Sequence, residues 1–426
     1  KGFVPNKRYI TEFQKKDEEI AFFDDTITDV AYGQYDLLRS LSEDLLERLE
    51  RFFPTEKAAQ IYCYAVILCA NGFVYIDQID DFYQESFLSL VFKMEYSALS
   101  VLLHELGMKG NPVKAFEQSL IDDSSKDIAI DGHVIHSCSE LNDLVEPGYK
   151  MGTIKAPQEN LLIAYDIKNK MPVMYRSFRG SSVDKVSVVE FLESRRFTDT
   201  KFVVDRGFYS EKAIKLMSEK GNCYIIPLPS NSTEFKRIKQ NLQYTSGEFI
   251  YRSGNKESAR VIYYEEQINA SKRIIVYKDI DENNAKRKCY KMMMELGEKS
   301  YTQEKYDEYC DWWGVYFLET TTDETASEVY GDYKDRWSIE TFNNYIKNDA
   351  HFNNLKIQDY YVEQGFDFIM LITGILHSRL NEAVKKLQKS SISTYDILIK
   401  AGHMRMVLTD KEWKLRNTRT KDLTLL

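Results

Sequence analysis

The stretch "DYKDRWSIETFNNYIKND" occupies residues 332–349, and the fold assignment turns on how it is read. Its length and composition suit a helix. With Tyr333 set to zero and about 100° per residue, Arg336 falls at about −60°, Glu340 at about −20° and Lys347 at about −40°. These four polar groups share an arc of roughly 60° along about 21 Å of helix. Ile339, Phe342 and Ile346 lie on the far side, at about −120°, 180° and −140°. One face is therefore built for a core, and another carries a carboxylate, two cations and a phenol. An ordinary solvated face gives the same periodicity. The stripe also suits a metal-bound phosphate backbone, with Glu for the cation and Arg, Lys and Tyr for phosphate oxygens.

Working outward, two further carboxylates stand where chemistry is commonly placed. In "KFVVDRGFYS" (201–210), an apolar run ends at Asp205, and Gly207 permits a sharp turn. A carboxylate at the C-terminal end of a strand in an α/β sheet lies where ligands and metals collect; a turn or helix-start Asp is the plainer reading. In "IAIDGHVIH" (128–136), Asp131 sits inside an apolar strand, where it needs a cation if buried, or else faces solvent. His133 and His136 are three apart, point to opposite faces of a strand and read as structural. Asp131, Asp205 and Glu340 are hard oxygen ligands, which favour Mg²⁺ or Mn²⁺ over Zn²⁺. Two such ions about 4 Å apart can activate an attacking oxygen and stabilise the leaving oxygen of a phosphodiester.

The remainder of the chain is compatible with that chemistry. Its 426 residues, 43% hydrophobic and 13% aromatic, are enough for two or three domains with sizeable cores and argue against disorder. No run of about 18 apolar residues occurs, so no transmembrane helix is expected. The most apolar stretch, "AAQIYCYAVILCANGFVYI", holds Gln60 and Asn71 and reads as a buried helix. The opening "KGFVPNKRY" shows no signal peptide and reads as a chain entered partway. Six scattered cysteines with no C-x-x-C pair suggest reduced cytosolic thiols and exclude a zinc framework. The net charge of −9 is unevenly spread. Residues 1–120 carry 12 basic and 20 acidic side chains, whereas 201–300 carry 19 and 13. A basic middle zone is suited to phosphates despite the acidic whole.

Residues 34–118 have the 3–4 residue apolar spacing of helices, with Thr55 as a candidate N-cap and Gly72 as a stop. From 127 the texture changes to three short strands, with a tight turn at Asn169-Lys170, and then helix, strand, helix, strand. Residues 228–312 interrupt this order with "PSNSTEF", several short strands and the basic run "AKRKCYKMMMELGEK". The pattern divides the chain into a helical N-terminal domain (1–120), a catalytic α/β domain in two parts (121–227 and 314–385), a β-rich insertion (228–313) and a C-terminal helical tail (386–426).

At these residues the chain resembles a DDE transposase of a bacterial insertion sequence. Tyr333, Arg336, Glu340 and Lys347 match the signature Y-x2-R-x3-E-x6-K of one cut-and-paste branch at every spacing. "VVDRGFYS" is similar to the segment around that family's second aspartate, and "MPVMYRSFRGSSVDK" to the stretch before it, where many members have Gly-Asn. The resemblance spans roughly 125–385. It implies an α/β fold: a ribonuclease H-like mixed sheet flanked by helices, with a β-rich insertion and a helical N-terminal domain.

The same resemblance implies that Asp131, Asp205 and Glu340 hold two Mg²⁺ (or Mn²⁺) ions, with Asp127 and Asp123 as rivals for the first position. Tyr333, Arg336 and Lys347 would grip DNA phosphates, and Trp312 or Trp313 would stack on a flipped base; core packing is the alternative for that pair. The implied partners are double-stranded DNA, as terminal inverted repeats and as target, and a second copy of the chain on that DNA. No membrane is involved, and the place of action is the bacterial cytoplasm at the nucleoid. A helix-turn-helix module for end recognition is not evident in 34–118 and is expected upstream of Lys1. Two other functions fit the same residues: a nuclease that cuts without joining, and a domesticated DNA-binding protein without catalysis.

Overall fold

A computed structural model describes residues 29–72, 74–92, 99–137, 139, 141–148, 157–252, 258–346, 357–387, 393–409 and 412–416. The chain forms two compact units. The first joins residues 1–108 to 368–426; the second is the continuous segment 109–367.

The first unit opens with β1 (Asp29–Ala31), followed by helices Gly33–Ser40, Glu43–Glu50 and Thr55–Asn71. The last of these is buried almost all round, from Ala58 to Cys69. Its polar residues are accommodated locally. The Asn71 amide donates to Tyr35 Oη at 3.0 Å and to the Ile67 carbonyl at 2.9 Å. Gly72 ends the helix at φ 74°, a conformation most side chains avoid. Among the described residues no helix is long and apolar enough to cross a membrane.

The second unit is a mixed α/β structure around one ten-stranded sheet. Its strands are β2 (Asp127–His136), β3 (Glu146–Pro147), β4 (Pro157–Asp166), β5 (Met171–Arg179), β6 (Lys201–Val204), β7 (Cys223–Pro227), β8 (Gly247–Tyr251), β9 (Ala259–Gln267), β10 (Arg273–Asp279) and β11 (Val315–Thr320). They lie in the order β3-β4-β2-β6-β7-β11-β10-β9-β8, and β5 pairs with β4. β2, β4 and β5 are antiparallel neighbours, turning through residues 167–170 with Lys170 at φ 52°. β6 runs parallel to β2 and β7 parallel to β6, each reached through a helix: Asp184–Glu193 and Glu211–Leu216. β6 is short and buried on both faces, as a parallel strand between two others must be.

The strands of the 228–313 segment do not make a sheet of their own. β11 pairs with β7 on one side and β10 on the other, so β8, β9 and β10 extend the main sheet. β8 is thereby left at the edge of the sheet.

Two buried charged clusters bracket this sheet. At the start of β2 and β6, Lys201 bonds Glu324 at 2.6 Å, Asp127 at 3.3 Å and also Asp332, while Lys168 pairs with Asp127. On β4, Glu159 stands against Glu363 and Asp367 of the long helix Tyr360–Lys386. Asp367 accepts hydrogen bonds from Ser177 N and Oγ, both at 2.9 Å. Burial pushes all three of these carboxyls up, Glu159 to about 8 and Asp367 to about 7.

Back in the first unit, the rest of that long helix packs beside the apolar helix Thr55–Asn71. Phe53 and Phe368 meet at 5.5 Å, and Arg379 Nη2 reaches Asp44 Oδ2 at 2.7 Å. The segment expected as a helical tail holds one helix, Thr394–Gly402, and then the hairpin β12 (Arg405–Thr409) and β13 (Glu412–Arg416). β1 completes that hairpin as a third strand, with Asp29 opposite Val407.

Candidate active site

The last register pair between β2 and β6 is Ile130 with Val204. Asp131 and Asp205 are the residues that follow, so they leave neighbouring parallel strands side by side, at a strand spacing of about 4.8 Å. Asp205 then ends its strand. Its Oδ1 accepts from Arg206 N at 2.8 Å and caps a short 3₁₀ turn, Arg206–Phe208. Asp131 stays within β2, opposite Ile163 of β4.

The stripe residues are carried by two helices, Ala326–Asp335 and Trp337–Asn344, and not by one uniform helix. The hydrogen-bond ladder is interrupted at Arg336, whose backbone stays helical at φ −49°, ψ −29°. The first helix is set by a capping box, in which Thr325 and Glu328 satisfy each other's backbone N–H groups. Ile339, Phe342 and Ile346 are buried as the periodicity requires. Phe342 lies 5.3 Å from the Tyr165 ring of β4 and 6.3 Å from Tyr175 of β5. That packing turns the polar side of the helix toward Asp131. The Arg336 guanidinium pairs with Glu340 at 3.0 Å and lies 5.7 Å over the Tyr333 ring. Asn343 Nδ2 donates to Asp131 Oδ2 at 2.8 Å.

The electrostatics tie the three acids together. Burial raises the Asp131 carboxyl above the usual aspartate range, and the charges of Glu340 and Asp205 add to the rise. Arg336 and the Gly132 backbone N–H pull the other way. Three carboxylates thus share a field held in part by one arginine. Among the described residues, no three His, Cys, Asp or Glu side chains converge closely enough to form a ready-made metal cage. The donor chemistry nevertheless fits a hard cation: three oxygen acids that repel one another, with a neighbouring cation relieving the cost.

The rivals for the first position are engaged elsewhere. Asp127 lies at the other end of the strand, opposite Lys201, and is bonded by Lys201 and Lys168. Asp123 is the C-cap of the helix Asn111–Asp122.

Residues 123–376, more than half of the chain, match the family model of the transposase DDE domain. The chain belongs to the DDE transposase family. No curated protein sequence matches it. Among solved structures, it is similar to the piggyBac transposase synaptic complex with hairpin DNA determined by cryo-EM. That similarity has 12% identity and a TM-score of 0.44, covering 81% of this chain and 70% of the other.

Within the DDE domain the two tryptophans part company. Trp313 packs among tyrosines, 5.1 Å from Tyr290 and 5.6 Å from Tyr306. Trp312 packs against the apolar cluster of Leu228, Ile238 and Phe317, with the Lys239 ammonium 4.3 Å over its ring. Trp312 also lines a cavity of about 710 Å³ whose wall includes Asp205, Arg206, Lys239 and Tyr333. Lys347 lies outside the described residues.

Three residues at this site were not singled out from the sequence. Asn343 lies one turn beyond Glu340, on the edge of the stripe, but an uncharged amide gave no signal. Arg206 reads as a turn residue until the cavity shows what it lines. Trp337 is 65% exposed next to Arg336; a Trp among charged residues was the available clue.

Proposed function

We propose that this chain is a DNA transposase that cuts transposon ends by hydrolysis and joins the freed 3′-hydroxyl to target DNA. The observation that carries this reading is the β2–β6 register, which sets Asp131 beside Asp205, with the Glu340 helix tied to the same strand through Asn343. In this reading Asp131, Asp205 and Glu340 hold two Mg²⁺ or Mn²⁺ ions, and the mixed sheet is ribonuclease H-like. Bound there, the ions would activate the attacking oxygen and stabilise the leaving one.

The chain's own groups then have distinct tasks. With Glu340 given to a bound ion, the Arg336 guanidinium would turn to a phosphate oxygen, with Tyr333 beneath it as a brace. Lys347 is a second phosphate contact of the cut-and-paste signature. The cavity beside Asp205 has room for a nucleobase, and Trp312 offers a stacking face, which supports a flipped base during hairpin cutting. Joining two ends in one reaction calls for a homodimer on DNA, acting in the cytoplasm.

The test is to incubate the chain with duplexes carrying the terminal repeats of its element, target plasmid and Mg²⁺, and to map the products. End cleavage followed by joining supports the proposal. Cleavage without joining favours a nuclease. DNA binding with no Mg²⁺-dependent cleavage by the parent chain, or full cleavage by Asp205→Asn, would sink the assignment.

A further inference from the structure

We infer that Asn343 is a positioning residue for the metal-binding carboxylates, acting through Asp131; this rests on the function proposed above. Asn343 is 6% exposed and sits one turn beyond Glu340 on the same helix. Its Nδ2–H donates to Asp131 Oδ2 at 2.8 Å, across 212 residues of sequence. This is the hydrogen bond that joins the glutamate helix to the β2 carboxylate. The amide holds Asp131 directly and so fixes where the helix carrying Glu340, one turn earlier, sits against β2.

The other half of the amide is informative. Asn343 Oδ1 is buried and has no hydrogen-bond partner among the described residues. Buried acceptors are rarely left unmade. Oδ1 shares a carbon with Nδ2, so it lies within one water's reach of the carboxylate that Nδ2 holds. A water bound to a hard cation at Asp131 would be a strong donor, and Oδ1 would be an acceptor available to it. The Nδ2 end thus fixes the Asp131 rotamer, and the Oδ1 end would be left to accept from a water on a bound ion. The reverse orientation would set Oδ1 against the carboxylate and repel it.

Groups that orient metal ligands typically change metal affinity about 10- to 100-fold when removed. The test is binding of Mn²⁺ alone to the DNA-free chain, followed by electron paramagnetic resonance. The variants are Asn343→Leu, Asn343→His and Asp205→Asn, with circular dichroism as the fold control. Leu matches the amide in size and cannot donate, whereas a His Nδ1–H can stand where Nδ2 stands. If the Leu variant does not fold, Asn343→Ser replaces it. The expected result is Mn²⁺ binding about tenfold weaker for Leu and within about threefold of the parent for His. In cleavage, the Leu variant needs more metal for half-saturation and regains its rate at saturating Mn²⁺. Unchanged Mn²⁺ affinity in Asn343→Leu, with binding lost in Asp205→Asn, overturns the inference and leaves the proposed site standing. Equal weakening by Leu and His reduces Asn343 to packing and also overturns it. Undiminished binding by Asp205→Asn takes down both.

Discussion

Replacing Lys201 by Met puts the buried charge network under the stripe to a quantitative test. The Lys201 side chain is 8% exposed and meets Asp127, Glu324 and Asp332, whose side chains are 10%, 29% and 20% exposed. Lys168 adds a second cation to this group, through Asp127. With Lys201, Lys168, Asp127, Glu324 and Asp332 the network carries a net charge of −1, and Lys201→Met makes it −2. Breaking a buried pair from one side costs about 3–5 kcal/mol. At about 2–4 °C per kcal/mol for a unit of this size, the melting temperature should fall by roughly 6–20 °C.

The network raises the Lys201 ammonium above the usual lysine range. Its contribution is therefore complete below the ordinary lysine value and lost only as pH rises through the higher folded one. The deficit should be constant between about pH 6 and 9. Asp332 lies four residues before Arg336, so adding Asp332→Asn removes one repelling acid and should return part of the loss. Coupling of about 0.5–3 kcal/mol is expected between such neighbours. Calorimetry of the parent, both single variants and the double variant measures this. A melting shift under about 2 °C for Lys201→Met, or strict additivity in the double variant, refutes the reasoning.

Other perturbations separate the remaining roles. The carboxyls of Glu159, Glu363 and Asp367 are raised by burial, so the folded chain keeps protons that the unfolded chain has released. Stability should decline as pH rises from the ordinary carboxylate value toward about 8, and Glu159→Gln should flatten that slope; melting curves from pH 5 to 9 that superpose for the two proteins would contradict this. Glu340→Gln should bind end DNA as well as the parent and fail to cut. Arg336→Ala should bind less tightly, with a salt slope shallower by about one phosphate; a slope equal to the parent's in titrations at several salt concentrations would show that Arg336 touches no phosphate. With 2-aminopurine in the end DNA, stacking should quench its fluorescence in Trp313→Ala but not in Trp312→Ala; the opposite pattern would assign the cavity to the wrong tryptophan.

Much of the frame was legible because its signals are local. The strands β2, β4 and β5 have continuous or alternating apolar runs, and Gly72 and Lys170 stand where the chain turns. The stripe was legible because a 3.6-residue period reports faces directly. The interruption at Arg336 was not, since no Gly or Pro marks it and both flanking segments favour a helix. The strands of 247–279 were also visible as strands. Their attachment to the main sheet was not, because it depends on β11 pairing with β7 and β10 at once, and periodicity carries no partner. Which of Asp123, Asp127 and Asp131 lies beside Asp205 likewise waited on register, because periodicity carries no strand alignment. Asn343 stayed silent because a buried amide and a solvated one look alike in sequence.

The unit formed by residues 1–108 and 368–426 has a consequence for the order of events at the ribosome. Asp29 of β1 pairs with Arg405 of β12 across 376 residues, and Asp44 waits for Arg379. These early helices cannot close their core until residues beyond 400 have been synthesised. At roughly 5–20 residues per second, that leaves a gap of about 15–65 s in which the apolar helix Thr55–Asn71 lacks its cover. The segment 109–367 is complete earlier in the chain and can fold within that gap. A ribosome that stops between residues 367 and 400 would therefore release a finished sheet carrying an unfinished, sticky companion. Chaperone capture of such a product, and its proteolytic removal, would keep truncated catalytic units from reaching DNA.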